Sequence, residues 1–77
     1  MLPVQCKMAR AALGWGVRDL AKASGISTDT ICRFEAGEAL RTRSIAALRI
    51  AFEAAGILFL AEDKDGIGLR IKEAADL

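Results

Sequence analysis

The stretch Val17 to Gly37, VRDLAKASGISTDTICRFEAG, constrains the fold of this chain more than any other part of it. It reads as two short helices joined by the tight turn Ser24-Gly25-Ile26-Ser27, a helix-turn-helix over residues 17–37. Two crossed helices must share one small core, and Leu20, Ala21, Ile26, Ile31 and Phe34 supply it, with Ala21 small enough for the second helix to approach closely. Gly25 stands where the chain needs a positive φ after the first helix. Ser27 can cap the second helix, expected over 28–36, because its hydroxyl can accept a hydrogen bond from a backbone N–H of the first turn. Ile31 and Phe34 are three apart and point inward, which leaves Thr28, Asp29, Thr30, Cys32 and Arg33 on or near the outer faces. Gly37 ends that helix.

The flanking sequence is read the same way. Pro3 near a helix start, followed by Val4, Met8, Ala11 and Ala12 at helical spacing, predicts an opening helix of about three turns. Leu13-Gly14-Trp15-Gly16 breaks it, with Trp15 as a core anchor. The polar connection Glu38 to Arg43 leads to an amphipathic helix with Ile45, Leu48, Phe52 and Ala55 inward and Gly56 as its stop. Ile57-Leu58-Phe59-Leu60 reads as a strand, and Ile67-Gly68-Leu69-Arg70-Ile71 alternates in apolar character. Asp65-Gly66 between them is a turn signal, so a C-terminal hairpin is expected over about 57–71. A lone two-stranded hairpin is marginal in water. It is therefore expected to pack on the helices or on a second copy, aiding dimerisation.

Composition bounds the function. A chain of 77 residues makes one small domain, and 53% hydrophobic against 27% charged residues argues for a folded globule. Charges interrupt every apolar stretch before it reaches a membrane-spanning length, and no signal-peptide pattern opens the chain; a soluble, cytoplasmic protein with no membrane partner is expected. Two cysteines, Cys6 and Cys32, with no histidine, argue against a zinc site and for reduced, buried or half-buried thiols. With no nucleophile-base constellation and no metal cluster, neither an enzyme nor a cofactor is expected. The Gly66-x-Gly68 pair lacks a following helix and fits a turn rather than a nucleotide site, and Asp63 with Asp65 lacks the remaining ligands of a calcium loop.

Charge is unevenly placed. Residues 1–55 hold eight basic and five acidic residues, net +3, and residues 56–77 hold three basic and five acidic, net −2. The helical part is thus the polyanion-facing end.

In GWGVRDLAKASGISTDTICRFEAG the pieces Leu20-Ala21, Gly25-Ile26-Ser27, Thr30-Ile31 and Phe34-Glu35-x-Gly37 fall together at one family's spacing. The chain here resembles the Cro/C1-type helix-turn-helix family, also called the XRE family of bacterial and phage regulators, from about Gln5 to Ala55. Ala11 to Trp15 and Gly56 to Leu60 further resemble a group of very short, single-domain members. The resemblance implies a single domain over 1–77 of all-α class, a four- to five-helix lambda-repressor-like fold with a short C-terminal β-hairpin. It also implies a sequence-specific transcriptional regulator of double-stranded DNA, a dimeric repressor that inserts the 28–36 helix into the major groove.

By the same resemblance Ser27, Thr28, Asp29, Thr30 and Arg33 face the groove. Arg33 is the base reader, because a guanidinium can donate two bonds to guanine. Thr28 and Thr30 suit phosphate or a thymine methyl, and Ser27 combines capping with a phosphate contact. Arg41, Thr42 and Arg43, just after the reading helix, are placed to grip the DNA backbone, with Arg18 and Lys22 on the first motif helix as weaker phosphate candidates. Plainer roles compete: Asp29 favours the positive end of a helix dipole, and Arg41 and Arg43 are solvated loop charges.

The chain departs from the family at two places. Gly16-Val17 stands where many members carry a polar pair, often Ser-Gln, and Asp29 stands where many carry Arg, Lys or a neutral polar residue. A helix-turn-helix fold used as a protein-interaction module, or an antitoxin that also holds a protein partner, fits the same residues.

Overall fold

The computed structural model describes residues 1–72. Four helices, α1 (Pro3–Leu13), α2 (Val17–Ser24), α3 (Thr28–Glu35) and α4 (Thr42–Ala54), precede two antiparallel strands, β1 (Ile57–Asp63) and β2 (Gly66–Ile71). This corrects the all-α expectation: the hairpin is a full structural layer and the domain is a small mixed α/β fold. Among the described residues no helix is long and apolar enough to cross a membrane.

Local chemistry sets most boundaries. Pro3 occupies the first turn of α1, where its missing N–H costs nothing, and Gln5 Oε1 accepts from the Leu2 amide at 2.8 Å. Asp19 Oδ2 takes the Gly16 N–H at 2.8 Å at the start of α2. Gly25, at φ 77°, closes α2 in the left-handed conformation and lets the chain reverse into α3. Ser27 Oγ accepts from the Thr30 amide at 3.2 Å and donates to Thr30 Oγ1 at 2.8 Å, so the second motif helix starts where its cap places it.

The core gathers Cys6 and Ala9 of α1, Leu20 of α2, Ile31 and Phe34 of α3, Leu48, Ala51 and Phe52 of α4, and Ile57 and Phe59 of β1. Ala21, Ile26, Ile45 and Leu69 pack against it from partly buried positions. Trp15 stacks on Phe52 with ring centroids 5.9 Å apart, and Phe52 meets Phe59 edge-on at 5.8 Å, joining the helices to the hairpin. The face of α1 differs from the expected one: Gln5, Cys6 and Ala9 are buried, while Val4, Ala11 and Ala12 are exposed. The hairpin is the reason, since Gln5 Nε2 donates to the carbonyls of Leu60 (3.3 Å) and Gly68 (3.0 Å) and turns α1 toward the sheet.

Ile57 pairs with Ile71, Leu58 with Arg70, Phe59 with Leu69 and Leu60 with Gly68, and the register shifts between Leu60 and Asp63. Ile57 and Phe59 therefore face the helices, and Leu58 and Leu60 face outward.

Candidate nucleic-acid interface

Two helix starts present the expected residues. On α3 and its cap, Ser27, Thr28, Asp29 and Arg33 are exposed and Thr30 is half-buried, its hydroxyl held by Ser27. Ile31 and Phe34 bury the opposite side of the helix, which fixes which face is presented. Arg33 Nε lies 3.7 Å from Asp29 Oδ2, one turn back on the same face. Both side chains are more than half exposed, so the pair biases the guanidinium's direction more than it stabilises the fold. Arg18 and Lys22 are exposed on α2.

The second start corrects an expectation. Thr42 and Arg43 lie in the first turn of α4, not in a loop, and Arg41 is its N-cap residue. Arg41 makes no side-chain cap bond and the first turn contains no acidic residue. In α1, α2 and α3 a side-chain oxygen accepts from a backbone N–H at the start. The start of α4 instead carries Arg41, Thr42 and Arg43, all exposed, around amides that side chains leave uncapped. The Ser44 amide turns back to the Arg41 carbonyl at 2.9 Å, and the positive end of the helix dipole lies beside two arginines, a setting that favours an anion. Its signal was present in the sequence as the lack of Ser, Thr, Asp or Asn at position 41.

Behind α3 stands a cluster that periodicity did not reveal. Arg10 of α1 grips Glu35 with two bonds, Nε to Oε2 and Nη2 to Oε1, both 2.7 Å, and its Nη1 donates to the Trp15 carbonyl at 3.1 Å. The Cys6 thiol donates to Glu35 Oε2 at 3.1 Å. Glu35 ends α3, so this cluster fixes the base of the presented helix on α1. The Arg10 hydrogen bonds hold the Glu35 carboxyl below the usual glutamate range. Burial, reinforced by the neighbouring carboxylate, pushes the Cys6 thiol up to about 12.

No protein-family model matches the chain, and no curated protein does.

Cys32 corrects the expectation of two buried or half-buried thiols: Cys6 is buried but Cys32 is exposed on α3. One thiol per chain is expected to react promptly with a maleimide under native conditions, with Cys6 reacting only after denaturation. Mass spectrometry of the labelled peptides checks this, and prompt labelling of Cys6 would contradict its placement. Among the described residues no group of three or more His, Cys, Asp or Glu is placed to hold a metal ion.

Proposed function

We propose that this protein is a sequence-specific DNA-binding regulator of transcription, a cytoplasmic homodimer that represses by occupying its site. In this reading α3 enters the major groove, with Arg33 donating to a guanine and Thr28 and Thr30 meeting phosphate or a thymine methyl. The observation that carries it is the pairing of two unlike helix starts. One is capped and presents polar side chains along an exposed face; the other is uncapped, cationic and fit for phosphate. The first suits base reading and the second suits backbone positioning, the division of labour that DNA recognition requires. Arg18 and Lys22 add charge on α2.

Selection from random duplex DNA at near-physiological salt tests the reading. One approximately palindromic sequence is expected to be enriched. Arg33→Ala is expected to relax preference at one base of each half-site, a loss of about 1–3 kcal/mol of discrimination. Neutralising Arg41 and Arg43 together should weaken binding to all sequences and lower the salt dependence of binding by about two released counterions per subunit. Absence of enrichment with folded wild-type protein would overturn the reading. It would favour a protein-interaction or antitoxin role, to which the Asp29–Arg33 pair lends support by offsetting positive charge on the presented face.

A further inference from the structure

The hairpin seats on the helices only along its lower half. Ile57 and Phe59 are buried, while Ala61, Glu62 and Ile67, nearer the turn, are exposed. Between the pairs Leu60–Gly68 and Asp63–Gly66, β1 has two residues, Ala61 and Glu62, where β2 has one, Ile67. This is a β-bulge, which bends the strand and re-aims the side chains at that point. Between the distal half of the hairpin and the helices lies a cleft of about 320 Å³, at the lower end of the size range of small-ligand sites. Phe59, Ala61 and Ile67 make its apolar side, Leu2 closes it from the start of α1, and Arg49 and Glu62 carry its charges. Gln5 braces the walls: its Nε2 donates to the Leu60 and Gly68 carbonyls, one on each strand, and its Oε1 accepts from the Leu2 amide.

The two charges are available to a ligand. The guanidinium carbon of Arg49 lies 5.7 Å from the centre of the Phe59 ring, and Arg49 Nε donates to Glu53 Oε2 at 3.2 Å. Those two contacts hold the group in place, and among the described residues its Nη atoms donate to no acceptor. Glu62 has no ion-pair partner among the described residues. We propose that this cleft is a binding site for a free α-amino acid with an apolar side chain. Arg49 takes the carboxylate through its Nη atoms, Glu62 takes the ammonium, and the ligand's side chain lies against Phe59, Ala61, Ile67 and Leu2. Charge complementarity selects the zwitterion. A plain carboxylic acid meets repulsion from Glu62, and a plain amine meets it from Arg49. No residue of α2, α3 or the start of α4 lines the cleft, so it is distinct from the surface presented to DNA and does not rest on that reading.

Calorimetric titration of the full chain with L-phenylalanine tests the proposal. A Kd of about a millimolar or below is expected, which a ligand of this size can reach. L-phenylalaninamide, which lacks the carboxylate, and hydrocinnamate, which lacks the amine, should each bind at least about tenfold more weakly. Arg49→Gln should weaken L-phenylalanine about tenfold and leave L-phenylalaninamide unaffected. Glu62→Gln should weaken L-phenylalanine several-fold but not hydrocinnamate, because it removes a repelling charge along with a partner. In amide NMR spectra the largest shifts on adding L-phenylalanine should fall on Ala61, Glu62 and Ile67 and not on α3. Helical circular dichroism confirms that each variant is folded, and Glu62 is exposed, so E62Q keeps the test open if R49Q is unstable. No binding up to about 10 mM, hydrocinnamate binding as tightly as L-phenylalanine, shifts confined to other parts of the chain, or affinity indifferent to E62Q would each overturn the proposal. None of these results would bear on Arg33 as the base reader, which the DNA selection decides separately.

Discussion

Glu35→Ala is expected to lower the stability of this protein by about 3 kcal/mol, out of all proportion to the small apolar volume it removes. Its side chain is 8% exposed and Arg10 is 20% exposed, so both charges are largely out of water. Their attraction and the two 2.7 Å bonds offset the cost of desolvation. Removing the carboxylate strands a guanidinium and takes away the acceptor of the Cys6 thiol. Breaking one side of a buried pair typically costs about 3–5 kcal/mol, and the partial exposure of Arg10 places this case at the lower end. Replacing both residues with apolar ones of similar length should cost much less than either single change. The double-mutant cycle, read from urea midpoints at constant m, separates pairing from packing. A loss below about 1 kcal/mol for Glu35→Ala would show that the cluster contributes little.

The same cluster sets an acid limit. The folded-state carboxyl of Glu35 lies below its unfolded value, so the unfolded chain binds the proton more readily. The resulting stability is fully present above the unfolded glutamate value, which is 4.5, and is lost as pH falls through the lower folded value. Acid unfolding of the wild type should therefore be steeper in this range than that of Glu35→Gln, which has no carboxyl to protonate.

That cluster also marks the limit of what periodicity can reveal. Glu35 falls within Phe34-Glu35-x-Gly37, but its partner lies 25 residues away on another helix. Nothing in the spacing of α1 singles out Arg10 from Lys7. The turn between α2 and α3 was legible because its causes are local: Gly25 supplies the positive φ and Ser27 the cap. The hairpin is legible for the same reason, from alternation and Asp65-Gly66, but local signals do not reveal that it forms a layer against the helices. The inward face of α1 was not legible because it depends on Gln5 reaching two strand carbonyls, a tertiary choice that overrode apolar spacing. The presented residues of α3 could be named from its buried face. The placement of Thr42 and Arg43 inside α4 turned on a helix start without a capping side chain.

Phe52→Ala should be the most damaging of the apolar truncations, costing about 3–5 kcal/mol. Phe52 is fully buried and is the ring through which the two halves of the domain meet, with Trp15 on one side and Phe59 on the other. Truncation removes the apolar transfer energy of a phenyl ring and leaves a cavity between Trp15 and Phe59 that the packed core closes only in part. For a small domain, with about 5–15 kcal/mol in total, that is a large share. The hairpin should suffer first, because the Phe52–Phe59 contact is central to its packing on α4, and its amides should exchange faster than those of α2 and α3. Phe52→Leu keeps most of the volume and should cost under about 1.5 kcal/mol, which distinguishes a cavity from a specific demand for an aromatic ring. Trp15 is the only tryptophan in the chain and stacks directly on this residue, so its fluorescence reports the change without a label. If the emission of folded Phe52→Ala matches that of the wild type and its urea midpoint barely moves, Phe52 does not join helices to hairpin. If instead hairpin amides lose protection while the α2–α3 pair keeps it, the sheet is the less stable part of the fold.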